Sequence, residues 1–168
     1  MPAPDLIHQL KQHGSLILEA TRGLTDEQWR WRPTPTSWSI LEVIGHLLDE
    51  ERDDFRARIR MVFSGADGWP PTDPEGWVQE RGHQEREPQD LLDELDRERT
   101  HSLQWLTELD GVDWNSACVH KELGPLRAGD LLAAWVAHDL LHVGQILKTR
   151  VRLTQRSAAP WSTHYAAP

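Results

Sequence analysis

Apolar residues recur at helical spacing along four long stretches of the chain, and no stretch alternates convincingly as a strand. Leu6, Leu10, His13, Ile17, Ala20 and Leu24 share one face and predict a first helix over residues 5–22. Thr25-Asp26-Glu27-Gln28 then reads as a capped short turn of helix, stopped by Pro33 and Pro35. A second long helix is predicted over 39–63, opened by the capping-box spacing of Ser39 and Glu42 and closed at Ser64-Gly65. Its apolar side is Ile40, Val43, Ile44, Leu47, Leu48, Phe55, Ile59 and Val62. Leu91, Leu92, Leu95, Leu103, Leu106 and Leu109 define a third helix, started by Pro88 and ended by Asp110-Gly111.

The fourth helix is expected over 128–150. From Leu131 to Leu147 its only formally charged side chain is Asp139, so it is either central or shared with a second subunit. The fold expected is therefore all-α, an up-down-like four-helix bundle over residues 1–152. Residues 64–87, rich in Gly, Pro and Trp, form its long crossover loop between helices 2 and 3, and a loop of that length is often a lid over a site. The connection 112–127 reads as irregular, with a turn at Gly124-Pro125. Residues 153–168 form a C-terminal tail expected to pack on the bundle through Trp161 and Tyr165.

Composition narrows the functional classes. A length of 168 residues suits one domain with a substantial core. A formal charge of -9 disfavours nucleic acid and anionic membrane as partners. No apolar run approaches the ~20 residues needed to span a bilayer. The first residues lack a basic region followed by an apolar one, so no signal peptide is read. The single Cys118 cannot form an internal disulfide, which fits a cytoplasmic location, and it reads as inert more readily than as a nucleophile. Nine Trp against two Phe and one Tyr point to an aromatic-walled cavity for a small-molecule substrate.

The chemistry is concentrated in Ala-Trp-Val-Ala-His138-Asp-Leu-Leu-His142-Val-Gly-Gln145. A spacing of four stacks the two imidazoles on one helix face, shared with Leu131, Trp135 and Gln145. The pair can be half of a metal site or ordinary helix packing. A zincin helix would need Glu directly after the first His, where this chain has the shorter Asp139. The Glu-x-x-His pairs of a di-iron bundle are present at Glu80/His83 and Glu98/His101, but the first spans Gly82 and His101 points away from the leucine face. A third ligand must then come from a facing helix. His46 lies off the centre of the second helix's apolar face, and periodicity alone reads it as solvent-facing.

Several segments together resemble a known family. Trp38-Ser39-Ile40 leads into Gly45-His46-Leu47, and the last helix carries His138-Asp139-Leu140-Leu141-His142-Val143-Gly144-Gln145-Ile146. Asp73-Pro74-Glu75-Gly76-Trp77, Glu80-Arg81-Gly82 and Gly124-Pro125-Leu126 add to the likeness, which covers nearly the whole chain up to Arg150. The sequence is similar to the DinB-like (DNA-damage-inducible) superfamily of metal-dependent four-helix proteins. That resemblance implies a divalent cation held by His46, His138 and His142, one from the second helix and two from the last.

Three neutral imidazoles suit nickel or zinc and leave coordination positions open. The resemblance further implies a metal-dependent hydrolase, or a transferase using a low-molecular-weight thiol as cosubstrate, and a homodimer. A non-catalytic metal-binding or stress-response module is the alternative. Glu50, one turn beyond His46, can serve as a base, although beside Asp49, Glu51 and Asp53 it also reads as a solvated carboxylate. His13 in the first apolar stripe reads as a hydrogen-bonded core histidine before a fourth ligand. Gln145 reads as an orienting partner or packing, Trp135 as cavity wall or core, and Trp69 and Trp77 as lid residues.

Overall fold

The long helices that start at Ile40 and Pro88 begin where Ser39 and Pro88 predict, and four long helices form the bundle. The computed structural model describes residues 3–166. Helix α1 spans Ala3–Thr21, and the short α2, Asp26–Arg30, is capped reciprocally by Thr25 and Gln28. The second long helix is α3 (Ile40–Asp49), a π-helical turn (Glu50–Phe55) and α4 (Arg56–Phe63) in continuous succession. Ser39 and Glu42 form its capping box. Helix α6 is Pro88–Glu108 and α7 is Ala128–Ser157. Against α6 and α7 pack α1 on one side and α3 on the other, with α4 also on α7. Residues 22–39 therefore carry the chain across the bundle.

Four expectations need correction. The 112–127 connection contains an antiparallel hairpin, β1 (Ala117–His120) with β2 (Gly124–Arg127), pairing Ala117 with Arg127 and His120 with Gly124. Each strand has only four residues, too few to show alternation, and Gly124 supplies the φ of 76° its turn requires. The 64–87 crossover holds α5 (Pro74–Glu80), capped by Asp73, and a 3₁₀ turn at His83–Glu85. Helix α7 continues past Arg150 to Ser157, because nothing there breaks a helix and Leu153 is buried in the core. Beyond it Trp161 is 79% exposed and Tyr165 fully so, so neither aromatic residue seats the tail.

The core is divided in two, and the division falls at a polar residue on every long helix. One apolar cluster contains Ile17, Ile44, Leu48, Leu91, Leu95 and Ile146. The other contains Leu10, Ile59, Leu106, Leu132 and Trp135. His13, Glu51, Arg99 and Asp139 lie between these positions on their respective helices, and all four are buried. Arg99 Nε donates to Glu51 Oε2 at 3.0 Å, its Nη1 and Nη2 to Asp139 at 2.7 and 3.0 Å, and Nη1 also to the Leu10 carbonyl at 2.8 Å. Burial disfavours its charge, but the two carboxylates outweigh burial and hold the guanidinium protonated. Trp135 Nε1 donates to Glu51 and His13 Nδ1 meets the Val136 carbonyl, completing the layer.

Arg99→Met should cost about 3–5 kcal/mol of stability, because it strands two buried carboxylates. Urea denaturation at neutral pH measures it, and a loss under about 1 kcal/mol, the value of an exposed ion pair, would contradict the assignment.

Candidate metal centre

The apolar pattern of α3 fixes one wall of the centre and the spacing on α7 fixes the other. His46 leaves α3 near its end, and His138 and His142 leave the facing surface of α7 one turn apart. His46 Nε2 lies 3.3 Å from His138 Nε2, which lies 3.1 Å from His142 Nε2. One donor atom from each of the three histidines falls within 4.8 Å of the others. Trp38 leans on His46 with ring centroids 4.8 Å apart and lies nearly parallel to His142 at 6.5 Å. Phe55, from the π turn, meets the edge of His138 at 5.2 Å and stacks on Trp135.

Burial, followed by the charge of His142, pulls His46 down to about 4, and burial with both neighbouring histidines pulls His138 to about 3. Burial lowers His142 as well, against the opposing hydrogen bond to Gln145. All three are therefore neutral at pH 7. His142 Nδ1 donates to Gln145 Oε1 at 2.8 Å, which leaves its Nε2 as a bare lone pair aimed at the other two rings. Three uncharged nitrogens converging in an aromatic setting fit a borderline divalent cation such as nickel or zinc. The Nδ1 atoms of His46 and His138 are buried without partners, and the Pro74 carbonyl stands beside His46 without an aligned hydrogen bond to it.

Two solvent-facing readings are corrected. His46 is only 5% exposed and Glu50 only 6%, with Asp49 and Glu51 also buried. The cover comes from distant sequence, Arg81 and His83 of the crossover over Asp49 and Arg99 of α6 over Glu51. Glu50 is not one of the converging donors. Its Oε1 has no partner, and burial, reinforced by Asp54 and opposed by Arg58, pushes its carboxyl up to about 8. It is a buried acid that holds its proton at neutral pH.

Sequence reasoning missed the anchor that closes the crossover over α3. His83 Nε2 is 2.7 Å from Asp49 Oδ2, and Arg81 Nη1 donates to Asp49 and Asp53 at 2.5 and 2.7 Å. Gly45 makes room for it, since a side chain there would collide with the His83 ring. That glycine, one residue before His46, was the available signal. Asp139, read only as a misfit to the zincin pattern, is the partner of Arg99. His13 is the hydrogen-bonded core histidine and not among the converging ligands. Trp77 lies under the Arg81 guanidinium, and Cys118 is buried with its thiol on the Ala66 carbonyl.

Residues 9–146 match the family described as the DinB superfamily. No curated protein matches the chain. Among solved structures, the chain is similar to YfiT from Bacillus subtilis, a probable metal-dependent hydrolase with an unusual four-helix bundle topology. The two are 18% identical with a TM-score of 0.79, over 90% of this chain and 87% of that one, a likeness of fold. Among the described residues no helix is long and apolar enough to cross a membrane.

The Glu50 environment has a signed pH consequence. Its folded pKa of about 8 exceeds the ordinary 4.5, so between those values the folded chain binds the extra proton and stability falls as pH rises. Glu50→Gln removes that penalty. Relative to the parent, the metal-free variant should gain stability steadily from pH 5 to pH 8 in urea titrations. A difference independent of pH would show that Glu50 is ionised throughout.

Proposed function

The chain belongs to the DinB superfamily, and we propose that it is a divalent-metal-dependent enzyme whose cation is held by His46, His138 and His142. The observation that carries this reading is the convergence of three neutral Nε2 atoms from two helices, with no thiolate among them. A structural zinc site would ordinarily be closed by cysteine, whereas three histidines leave positions for water and substrate. When bound, such a cation supplies Lewis acidity, polarising a substrate carbonyl and acidifying water or a thiol at neutral pH.

The chain's own residues divide the remaining work. Gln145 fixes the tautomer of His142, and Trp38 and Phe55 exclude water and hold the rings. Glu50, buried one turn beyond His46, is the proposed proton carrier, passing a proton to a leaving group and taking one from water. Hydrolysis of a small-molecule substrate is the reaction favoured, because a buried carboxyl one turn beyond a ligating histidine suits proton transfer to a leaving group. Transfer of a low-molecular-weight thiol would use the same cation and need no such acid. Leu140, Leu141, Leu147 and Val151 are exposed on α7 and support a homodimer formed through that helix.

Purified protein should carry about one nickel or zinc ion per chain, measured by mass spectrometry of the metal. His46→Ala and His138→Ala should lose it. Gln145→Leu should weaken it by about 10–100-fold in chelator competition. Wild-type turnover of esters and amides, absent from His138→Ala and reduced in Glu50→Gln, supports the hydrolase. Turnover only with an added thiol and electrophile would move the assignment to transfer, and stoichiometric metal without turnover to a binding module. Protein without metal after growth in several metals would contradict the site itself. Light scattering should give twice the 19.3 kDa chain mass.

A further inference from the structure

Asp73-Pro74-Glu75-Gly76-Trp77 and Glu80-Arg81-Gly82 supply none of the converging donors, yet the short helix α5 that they open and close packs on α3. Each end of this stretch is built to hold one position. At its start, Asp73 Oδ1 accepts the Gly76 N–H at 3.0 Å and Pro74 sets the backbone angle of the first helical residue. A side chain at Gly76 would collide with the Asp73 carboxylate. At its end, Gly82 turns the chain at a φ of 62°, and Arg81 and His83 on either side of it both reach Asp49.

The fastening continues beyond that turn. The His83 ring fills the space above Gly45, and Gln84 bonds the Arg30 carbonyl at 2.9 Å and the Ser39 hydroxyl at 2.6 Å. Gly45 and Asp49 bracket His46 on α3, so the segment is tied to the helix that carries this histidine.

His46 gives the fastening a use. Its Nε2 faces His138, which leaves Nδ1 on the other edge of the ring, buried and without an aligned partner. A neutral imidazole that offers Nε2 to a cation carries its proton on Nδ1, and a buried N–H needs an acceptor. The acceptor that the fold brings beside His46 is the Pro74 carbonyl. Gln145 meets the same need for His142 from the same helix. A carbonyl on a separate segment keeps its place only if that segment is fastened.

We propose that residues 73–84 are a positioning strap for His46, in which the Pro74 carbonyl is the acceptor for the Nδ1–H group and Gly45, Arg81 and His83 are positioning residues that hold it there. The place of the proton follows from the geometry. Its use in presenting Nε2 to a cation rests on the proposed function.

Nitrogen NMR of the metal-free full chain, carrying isotope-labelled histidine, reads which ring nitrogen is protonated, and His46→Asn identifies the signals. His46 should be the Nδ1–H tautomer in the parent. His83→Ala removes the anchor, and Gly45→Ala drives the His83 ring off α3. Each should leave His46 a mixture of tautomers and weaken zinc by about 10–100-fold in chelator competition. His83→Gln, which keeps a donor for Asp49, should retain most of both properties. Val62→Ala, a core truncation at the end of α4, should lower stability and change neither.

An Nε2–H tautomer in the parent would overturn the strap. So would a tautomer and zinc affinity left unchanged by both His83→Ala and Gly45→Ala, or an equal loss of both in Val62→Ala. A tautomer lost without any loss of zinc affinity would overturn its use by the cation alone. A proton on Nδ1 in a chain that binds no zinc would refute the proposed function and leave the Pro74 hydrogen bond standing.

Discussion

The Arg99 guanidinium, forked between Glu51 and Asp139 in the middle of the bundle, is the contact on which the rest of the arrangement depends. It ties α6 to the π turn and to α7, and through the Leu10 carbonyl to α1. Buried ion pairs are weak contributors to net stability, because desolvation offsets much of their attraction. Their stronger effect here is on rotation and register. Successive residues of an α-helix point about 100° apart, so Asp139 facing Arg99 leaves His138 facing α3. Rotating α7 to relax one would misplace the other. The same holds across the bundle, where Glu51 is committed to Arg99 and the π turn brings Phe55 onto both Trp135 and His138. A turn of this type within an α-helix often marks a functional position.

The electrostatics of the centre follow from that framework. The charged layer keeps its carboxylates occupied with Arg99, while Asp49 is occupied with His83 and Arg81. The three histidines are left among aromatic rings, where burial removes their protons and frees their lone pairs. Glu50 is left buried with an oxygen that no basic side chain engages, and burial gives it a proton. Without a metal, one desolvated region thus keeps bases deprotonated and an acid protonated.

Much of this was legible in the sequence because it is local. The Ser39 and Thr25 caps, the Pro88 start and the spacing of His138 and His142 each depend on residues within a few positions of one another. His46 and Glu50 were not legible in that way. His46 is covered by Trp38 and by His138 and His142 of α7, about ninety residues later. Glu50 sits between Asp49 and Glu51, which Arg81, His83 and Arg99 cover from the crossover and α6, and periodicity cannot anticipate cover from so far away. The family likeness, not the helix pattern, singled out His46. Arg99 reads in sequence as one more charge on a largely polar helix, and only the meeting of three helices shows that its partners are Glu51 and Asp139. The hairpin escaped notice because four residues per strand are too few for an alternating pattern to stand out.

The central claim is that His46, His138 and His142 together form a metal's inner shell. X-ray absorption of the zinc-loaded protein measures that shell directly. Three imidazole nitrogens are expected at about 2.0–2.1 Å together with one or two oxygen scatterers, and no sulfur. A sulfur scatterer at about 2.3 Å, or a shell with fewer than two imidazoles, would contradict it.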